Sequence, residues 1–215
     1  AVHGFDNAVS ADLIAANPKN YRGVALVSME IKTEDLKKLH AQGFLGARFH
    51  FMKHLSSGVP IEDVIAFGRR LAPLGMHLQL HLDATLLEQM ASAITRTVVP
   101  IVIDHMARVD ASKGLNDPAF QKLLKVMQGK SVHVKVSGSE RISRQASPWK
   151  DAAPFSRKLV SEFPERVLWG TDWPHPNLKE VPDDGVLADL VAQMAPSEAE
   201  RKALLVDNPA RFYGF

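Results

Sequence analysis

The sequence contains no cysteine, which excludes disulfides and thiolate metal centres and leaves His, Asp and Glu as the only strong ligands for a metal ion. A charge excess of one sign is also missing: 26 Lys and Arg stand against 24 Asp and Glu, scattered along the chain. That gives no electrostatic case for a nucleic-acid partner or an anionic membrane surface. No apolar run approaches the roughly 20 residues that span a bilayer. The opening AVHGFDNAVS has neither the charged nor the apolar region of a signal peptide, so the expectation is a cytoplasmic protein with no membrane partner. Neither GxGxxG nor GxxxxGKS/T occurs, which weakens a nucleotide-binding reading. No low-complexity linker divides the chain, so residues 1–215 read as one domain.

What is present is a rhythm. With 46% hydrophobic residues the chain can bury a substantial core. Short apolar or β-branched runs occur at 23–29 (GVALVSM), 46–51 (GARFHF), 76–82 (MHLQLHL), 98–106 (VVPIVIDHM), 132–138 (VHVKVSG) and 166–172 (RVLWGTD). Each is followed by a helix-like segment, most clearly at 33–43, 60–75, 117–130 and 197–212, where apolar residues recur every three or four positions. Strand starts 22 to 34 residues apart match βα units and predict a parallel sheet covered by helices. An open doubly wound sheet and a barrel both satisfy that pattern, and the missing phosphate loop favours the barrel. The expected fold is therefore α/β, a (β/α)8 TIM-like barrel of which about six of eight units are present. The polar N-terminus reads like a loop that follows a strand, so the chain is expected to be N-terminally incomplete.

In such a barrel the C-terminal ends of the strands converge on one mouth, where the chemistry occurs. The residues expected there are Arg48, His81 and Asp83, His105 and Arg108, Arg141, and Asp172. An aspartate at a strand end is often only a cap for the next turn. Asp172, however, lies in WGTDWPHP, where Trp173, Pro174 and Pro176 are expected to restrict solvent and hold the loop, conditions that tune a carboxylate towards base chemistry. A lone strand-end histidine is commonly structural; His81 and His105 on successive strands, with Asp172 on another, make a set. Such a set can hold a divalent ion, or without metal can polarise a carbonyl and activate water. Arg48 and Arg141 suit carboxylates, either of a substrate or of internal acids such as Asp83 or Glu140. His50, His54, Asp104 and Lys135 read as weaker candidates that strand alternation can turn away from the mouth. His175 faces either substrate or solvent, and His3, His40, His77 and His133 are expected to have no role.

These residues carry a family likeness. RVLWGTDWPHPN resembles the last barrel strand of the amidohydrolase superfamily, and LLVDNPARFYGF resembles the helix that closes its chains. IDHMAR, KVSGSERIS and PDDG are most similar to the lactonase branch that opens a pyrone dicarboxylate ring in aromatic catabolism. The resemblance runs over essentially the whole chain. It implies that Asp172 is the general base, that His105 helps to polarise the lactone carbonyl, and that Arg48 and Arg141, with Arg108 nearby, hold substrate carboxylates. It also implies that the chain starts after the family's second strand, so that the HxH pair of the first strand lies outside it. Two positions depart from the branch: His54 stands where a further arginine is expected, and His81 where a tyrosine is. Both are carried as substrate-binding candidates. The leading expectation is a hydrolase of a small carboxylated lactone that requires no cofactor. The alternatives are a metal-dependent amidohydrolase or sugar lactonase with Zn or Mn on His81, His105 and Asp172, and a non-catalytic, truncated barrel. Oligomeric state is left open.

Overall fold

The computed structural model describes residues 3–52, 58–94 and 96–215. In chain order the elements are α1 (Ala8–Ala16), β1 (Gly23–Leu26), α2 (Thr33–Ala41), β2 (Phe44–His50), α3 (Ile61–Leu71), β3 (His77–His81), α4 (Leu87–Ile94), β4 (Ile101–Ile103) and α5 (Pro118–Val126). They continue with β5 (Val132–Lys135), α6 (Ser139–Ile142), α7 (Ala153–Glu162), β6 (Val167–Leu168), α8 (Asp184–Asp189), α9 (Val191–Met194), α10 (Glu198–Lys202) and α11 (Asn208–Tyr213).

The six strands form one sheet in the order β1-β2-β3-β4-β5-β6, and every neighbouring pair is parallel. A doubly wound sheet reverses strand order at a switch point; here the order never reverses. This is the sequential winding of a (β/α) barrel, with six units present and the sheet running from β1 to β6 without closing on itself.

Two faces of the sheet are buried for different reasons. On β3, Leu78 and Leu80 are fully buried in the apolar layer under the helices, together with Leu71 of α3, Leu87 and Ile94 of α4, and Ile101 and Ile103 of β4. Phe120 of α5 meets Phe155 of α7 edge to face at 4.7 Å, an arrangement that adds to the energy of area burial. The intervening residues His77, Gln79 and His81 are also buried, but they lie on the opposite face with the polar groups of the site. Both faces of β3 are covered, yet its sequence HLQLH keeps a polar stripe at every second residue that marks the face turned to the site.

At the N-terminal ends of the strands, α11 forms a plug. Its Phe212 ring lies 4.9 Å from His77 and 4.5 Å from His133. Asn208 donates to the carbonyl oxygens of Pro164 at 2.7 Å and Val167 at 2.9 Å, satisfying backbone groups beside β6. The start of α10 carries a capping box in which Ser197 and Glu200 satisfy each other's backbone N–H.

Three expectations are corrected. The N-terminal stretch read as a loop contains a nine-residue helix, α1; its alanines favour helix, but only Ile14 is buried, so no apolar stripe announced it. The last strand, expected over 166–172, ends at Leu168. Trp173 does not pack over the loop: it is 74% exposed. The expected helices at 33–43, 60–75 and 117–130 match α2, α3 and α5, each with shorter ends, and 197–212 divides into α10, a π-helical turn at Ala203–Asp207 and α11.

Candidate active site

The C-terminal ends of β2 to β6 and the segments that follow them bring the expected residues together. β2 supplies Arg48 and His50, whose sheet partners on β3 are Gln79 and His81. Beyond β4 the chain enters an unusual turn: His105, Met106, Ala107 and Arg108 all have positive φ, between 49° and 55°. For non-glycine residues left-handed backbone costs roughly 1–2 kcal/mol each, and such strain persists where surroundings over-determine it, often at functional sites. Here Met106 and Ala107 are fully buried, and the turn points His105 into the mouth.

His105 is held at both ring nitrogens. Nδ1 lies 2.9 Å from Ser137 Oγ, beyond β5, and Nε2 lies 3.3 Å from Asp172 Oδ1. Gly138 completes the seat: its φ is +77°, and a Cβ there would stand 3.0 Å from His105 Cβ and 3.1 Å from Nδ1. Glycine is required at that position both for its conformation and for its lack of bulk.

Asp172, also at positive φ, is clamped from two sides. Arg141 Nε donates to Oδ2 at 2.5 Å, and the same guanidinium donates through Nη2 to Pro176 O at 3.2 Å. Burial pushes the Asp172 carboxyl up, but the hydrogen bond and charge of His105 and the charge of Arg141 outweigh it and hold the pKa down to about 2. The carboxylate binds these side chains rather than capping a following turn. Asp83 does act as a cap, accepting from Thr85 N at 3.0 Å and Thr85 Oγ1 at 2.8 Å.

The arginines differ in what they hold. Arg141 also lies 3.5 Å from Glu140 Oε1, and burial raises the Glu140 pKa. Arg48 places Nε and Nη2 at 2.9 and 2.8 Å from Asp104 Oδ2. Its internal partner is therefore Asp104, not Asp83 or Glu140. Arg108, half-buried, makes no ion pair among the described residues; burial and then Arg141 lower its pKa. The charges of Asp172, Asp83 and Glu140 act on it in the opposite direction, but with none of them at ion-pair distance among the described residues the half-buried guanidinium is a ready anion site.

His81 is buried, and its Nδ1 meets His50 Nδ1 at 3.1 Å. Burial, then Arg48, lowers its pKa to about 3, so it is a neutral imidazole. The His81 and His105 rings stand 5.6 Å apart, edge to face. Among the described residues no group of three or more His, Asp or Glu side chains is placed to hold a metal ion. His81, His105 and Asp172 thus do not by themselves form such a group. His54 lies outside the described residues.

Several residues that the sequence left as weaker or undecided candidates belong to the site. Asp104 is fully buried and collects Arg48, Gln79 Nε2 at 3.0 Å and Lys135 Nζ at 3.3 Å. Lys135 and Arg48 hold its carboxyl far below the usual range against the opposing effect of burial. His175 is buried, not solvent-facing, and ties the Asp172 loop to α8 through Asp184 at 2.9 Å. A phase count from Arg48 and His81 in steps of two marks His50, His77 and Gln79; Glu140 was expected as an internal acid and does lie against Arg141, while Ser137 was not singled out.

A family model described as amidohydrolase matches residues 1–215. A 2-pyrone-4,6-dicarboxylate hydrolase of Comamonas testosteroni is 39% identical over 221 residues, covering 98% of this chain and 72% of that protein. A 4-sulfomuconolactone hydrolase of Hydrogenophaga intermedia is 34% identical over 219 residues, covering 99% of this chain and 72% of that one. Among solved structures, a probable 2-pyrone-4,6-dicarboxylic acid hydrolase of Acinetobacter baumannii with citric acid bound superposes with a TM-score of 0.87 at 27% identity, covering 99% of this chain and 80% of that chain. The sequential parallel sheet, the strand-end histidine and aspartate, and these matches together establish that the chain belongs to the amidohydrolase family.

Proposed function

We propose that the protein is a hydrolase that opens a small carboxylated lactone, of the 2-pyrone-4,6-dicarboxylate kind, by attack of water activated at Asp172. The observation that carries this reading is Asp172 held between His105 and Arg141 beside Arg108, which has no ion pair among the described residues. Base, polarising imidazole and anion-binding forks then lie in one mouth. The relatives named as hydrolases of a pyrone dicarboxylate and of a sulfomuconolactone support the same substrate class. The citric acid bound by the Acinetobacter protein supports a polycarboxylate pocket.

In this mechanism Asp172 accepts a proton from water as the water oxygen attacks the lactone carbonyl carbon. The carbonyl oxygen gains negative charge, which His105 helps to offset, since donors aimed at developing charge are usually the largest part of acyl-transfer catalysis. The tetrahedral centre collapses, the ring C–O bond breaks, and the released ring oxygen takes the proton back. The product is an open-chain acid. Arg108, the outer edge of Arg48 and Nη1 of Arg141 orient the substrate carboxylates, which makes the attack effectively unimolecular.

The test is a screen of the full-length protein against pyrone dicarboxylate, sulfomuconolactone and neutral sugar lactones, with metal content measured on the same sample. Opening of carboxylated lactones well above neutral ones is expected. Preference for uncharged sugar lactones would overturn the reading.

A further inference from the structure

We infer that Asp104 is a positioning residue for substrate binding: it fixes Arg48 so that the outer edge of its guanidinium faces the mouth and receives a carboxylate. This rests on the proposed reading of Arg48 as a substrate-binding residue.

A guanidinium has two edges able to bind a carboxylate side-on. In Arg48 the inner edge, Nε and Nη2, is placed on one oxygen, Asp104 Oδ2, at 2.9 and 2.8 Å. That leaves Nη1 and the second hydrogen of Nη2 facing away from Asp104. The exposures agree with this division: the Asp104 side chain is 1% exposed and that of Arg48 18%, so the acid is sealed while the base reaches open space.

Asp104 is itself over-determined. Gln79 Nε2 donates to Oδ1 at 3.0 Å and approaches Oδ2 at 3.2 Å, and Lys135 Nζ lies 3.3 Å from Oδ1. Arg48, Gln79 and Lys135 sit on β2, β3 and β5, and Asp104 follows β4. One carboxylate therefore ties four consecutive strands together beneath the mouth. An arginine fixed in this way loses less freedom when it binds a ligand carboxylate. The next residue is His105, so the same anchor lies at the root of the left-handed turn.

The experiment uses the full-length protein and benzene-1,3-dicarboxylate as a non-hydrolysable probe, with binding measured by calorimetry. Asp104→Asn is expected to weaken binding about 10- to 100-fold, the range for a hydrogen-bonded charged partner. In an Arg48→Met background the same substitution is expected to change binding less than about 2-fold, because coupled residues are non-additive. For an opened lactone KM is expected to rise more than kcat falls, a split that general loosening of the fold does not produce. Gln79→Leu keeps the charge of Asp104 but removes one of its anchors; it is expected to weaken binding about 3- to 10-fold, again only when Arg48 is present, and it carries the test if Asp104→Asn does not fold.

Wild-type-like binding by both variants overturns the inference, as does an unchanged loss in the Arg48→Met background. A wild-type protein that fails to bind the probe overturns it together with the role of Arg48. Binding with the expected coupling but no lactone opening leaves the role of Asp104 standing and overturns the proposed reaction.

Discussion

Acid should end the activity of this protein by unfolding it, well before the proposed base is protonated. Three histidines are held in the neutral form. Burial, as the largest cause, lowers the pKa of His77 and His133 to about 4 and that of His81 to about 3, from an ordinary 6.5. An unfolded chain binds protons at these residues as pH falls below 6.5, while the folded one does not. Stability is therefore complete above pH 6.5 and is lost on the way down to about pH 4. Each residue contributes about 1.4 kcal/mol per pH unit in that window, or about 4 kcal/mol per unit for the three. Glu140 opposes them, since burial raises its pKa and the folded state takes up that proton before the unfolded one does. By about pH 5 the loss reaches roughly 4–6 kcal/mol, a large share of the 5–15 kcal/mol that holds a typical domain together. Asp172, held at about 2, stays ionised throughout. The assay is urea denaturation at half-unit steps from pH 7.5 to 4.5, with initial rates on the same samples. Stability that is flat from pH 7 to 5, or activity that titrates away while the fold persists, would refute this account of the buried imidazoles.

Other outcomes follow from the same geometry. Asp172→Asn should lower kcat by about 10²–10⁴-fold, the usual share of a general base, with the circular dichroism spectrum unchanged; near-wild-type turnover would remove Asp172 from the mechanism. Arg108→Met should raise KM for a carboxylated lactone about 10- to 100-fold, the value of a hydrogen bond to a charged group, and should spare neutral lactones; equal losses on both would mean that it does not bind a carboxylate. Gly138→Ala should cost about 1–2 kcal/mol, since it forces a Cβ onto left-handed backbone, and should also lower kcat, since that Cβ meets the His105 ring. A drop in melting temperature with unchanged kcat would show that His105 tolerates the displacement.

Much of the fold was legible because its signals are local. Strand runs and helical stripes repeat at βα spacing, and the observed strands fall within the expected runs, apart from small shifts at their ends. The site was legible in part. Arg48, His81, His105, Arg108, Arg141 and Asp172 come together because strand ends of one sheet share one edge, whatever fills the rest of the chain. Asp104 was ranked below His105 because alternation along a strand allows only one of two adjacent residues to face the mouth. The left-handed turn after Ile103 breaks that alternation, so Asp104 and His105 both reach it. No glycine or proline marks the turn, and a run of left-handed residues is disfavoured locally; the contacts around it are tertiary, with Met106 and Ala107 buried and His105 held by Ser137 and Asp172.

Composition, periodicity and motif order thus determined the βα rhythm, the edge of the sheet that carries chemistry and the family. They did so because each depends on residues close together in the chain. The tertiary structure decided which acid each base meets: Asp104 for Arg48, Asp172 for Arg141, and none among the described residues for Arg108. Those pairings join residues 56 and 31 positions apart, and over such separations charge and hydrogen bonding act only after the strands have been packed side by side.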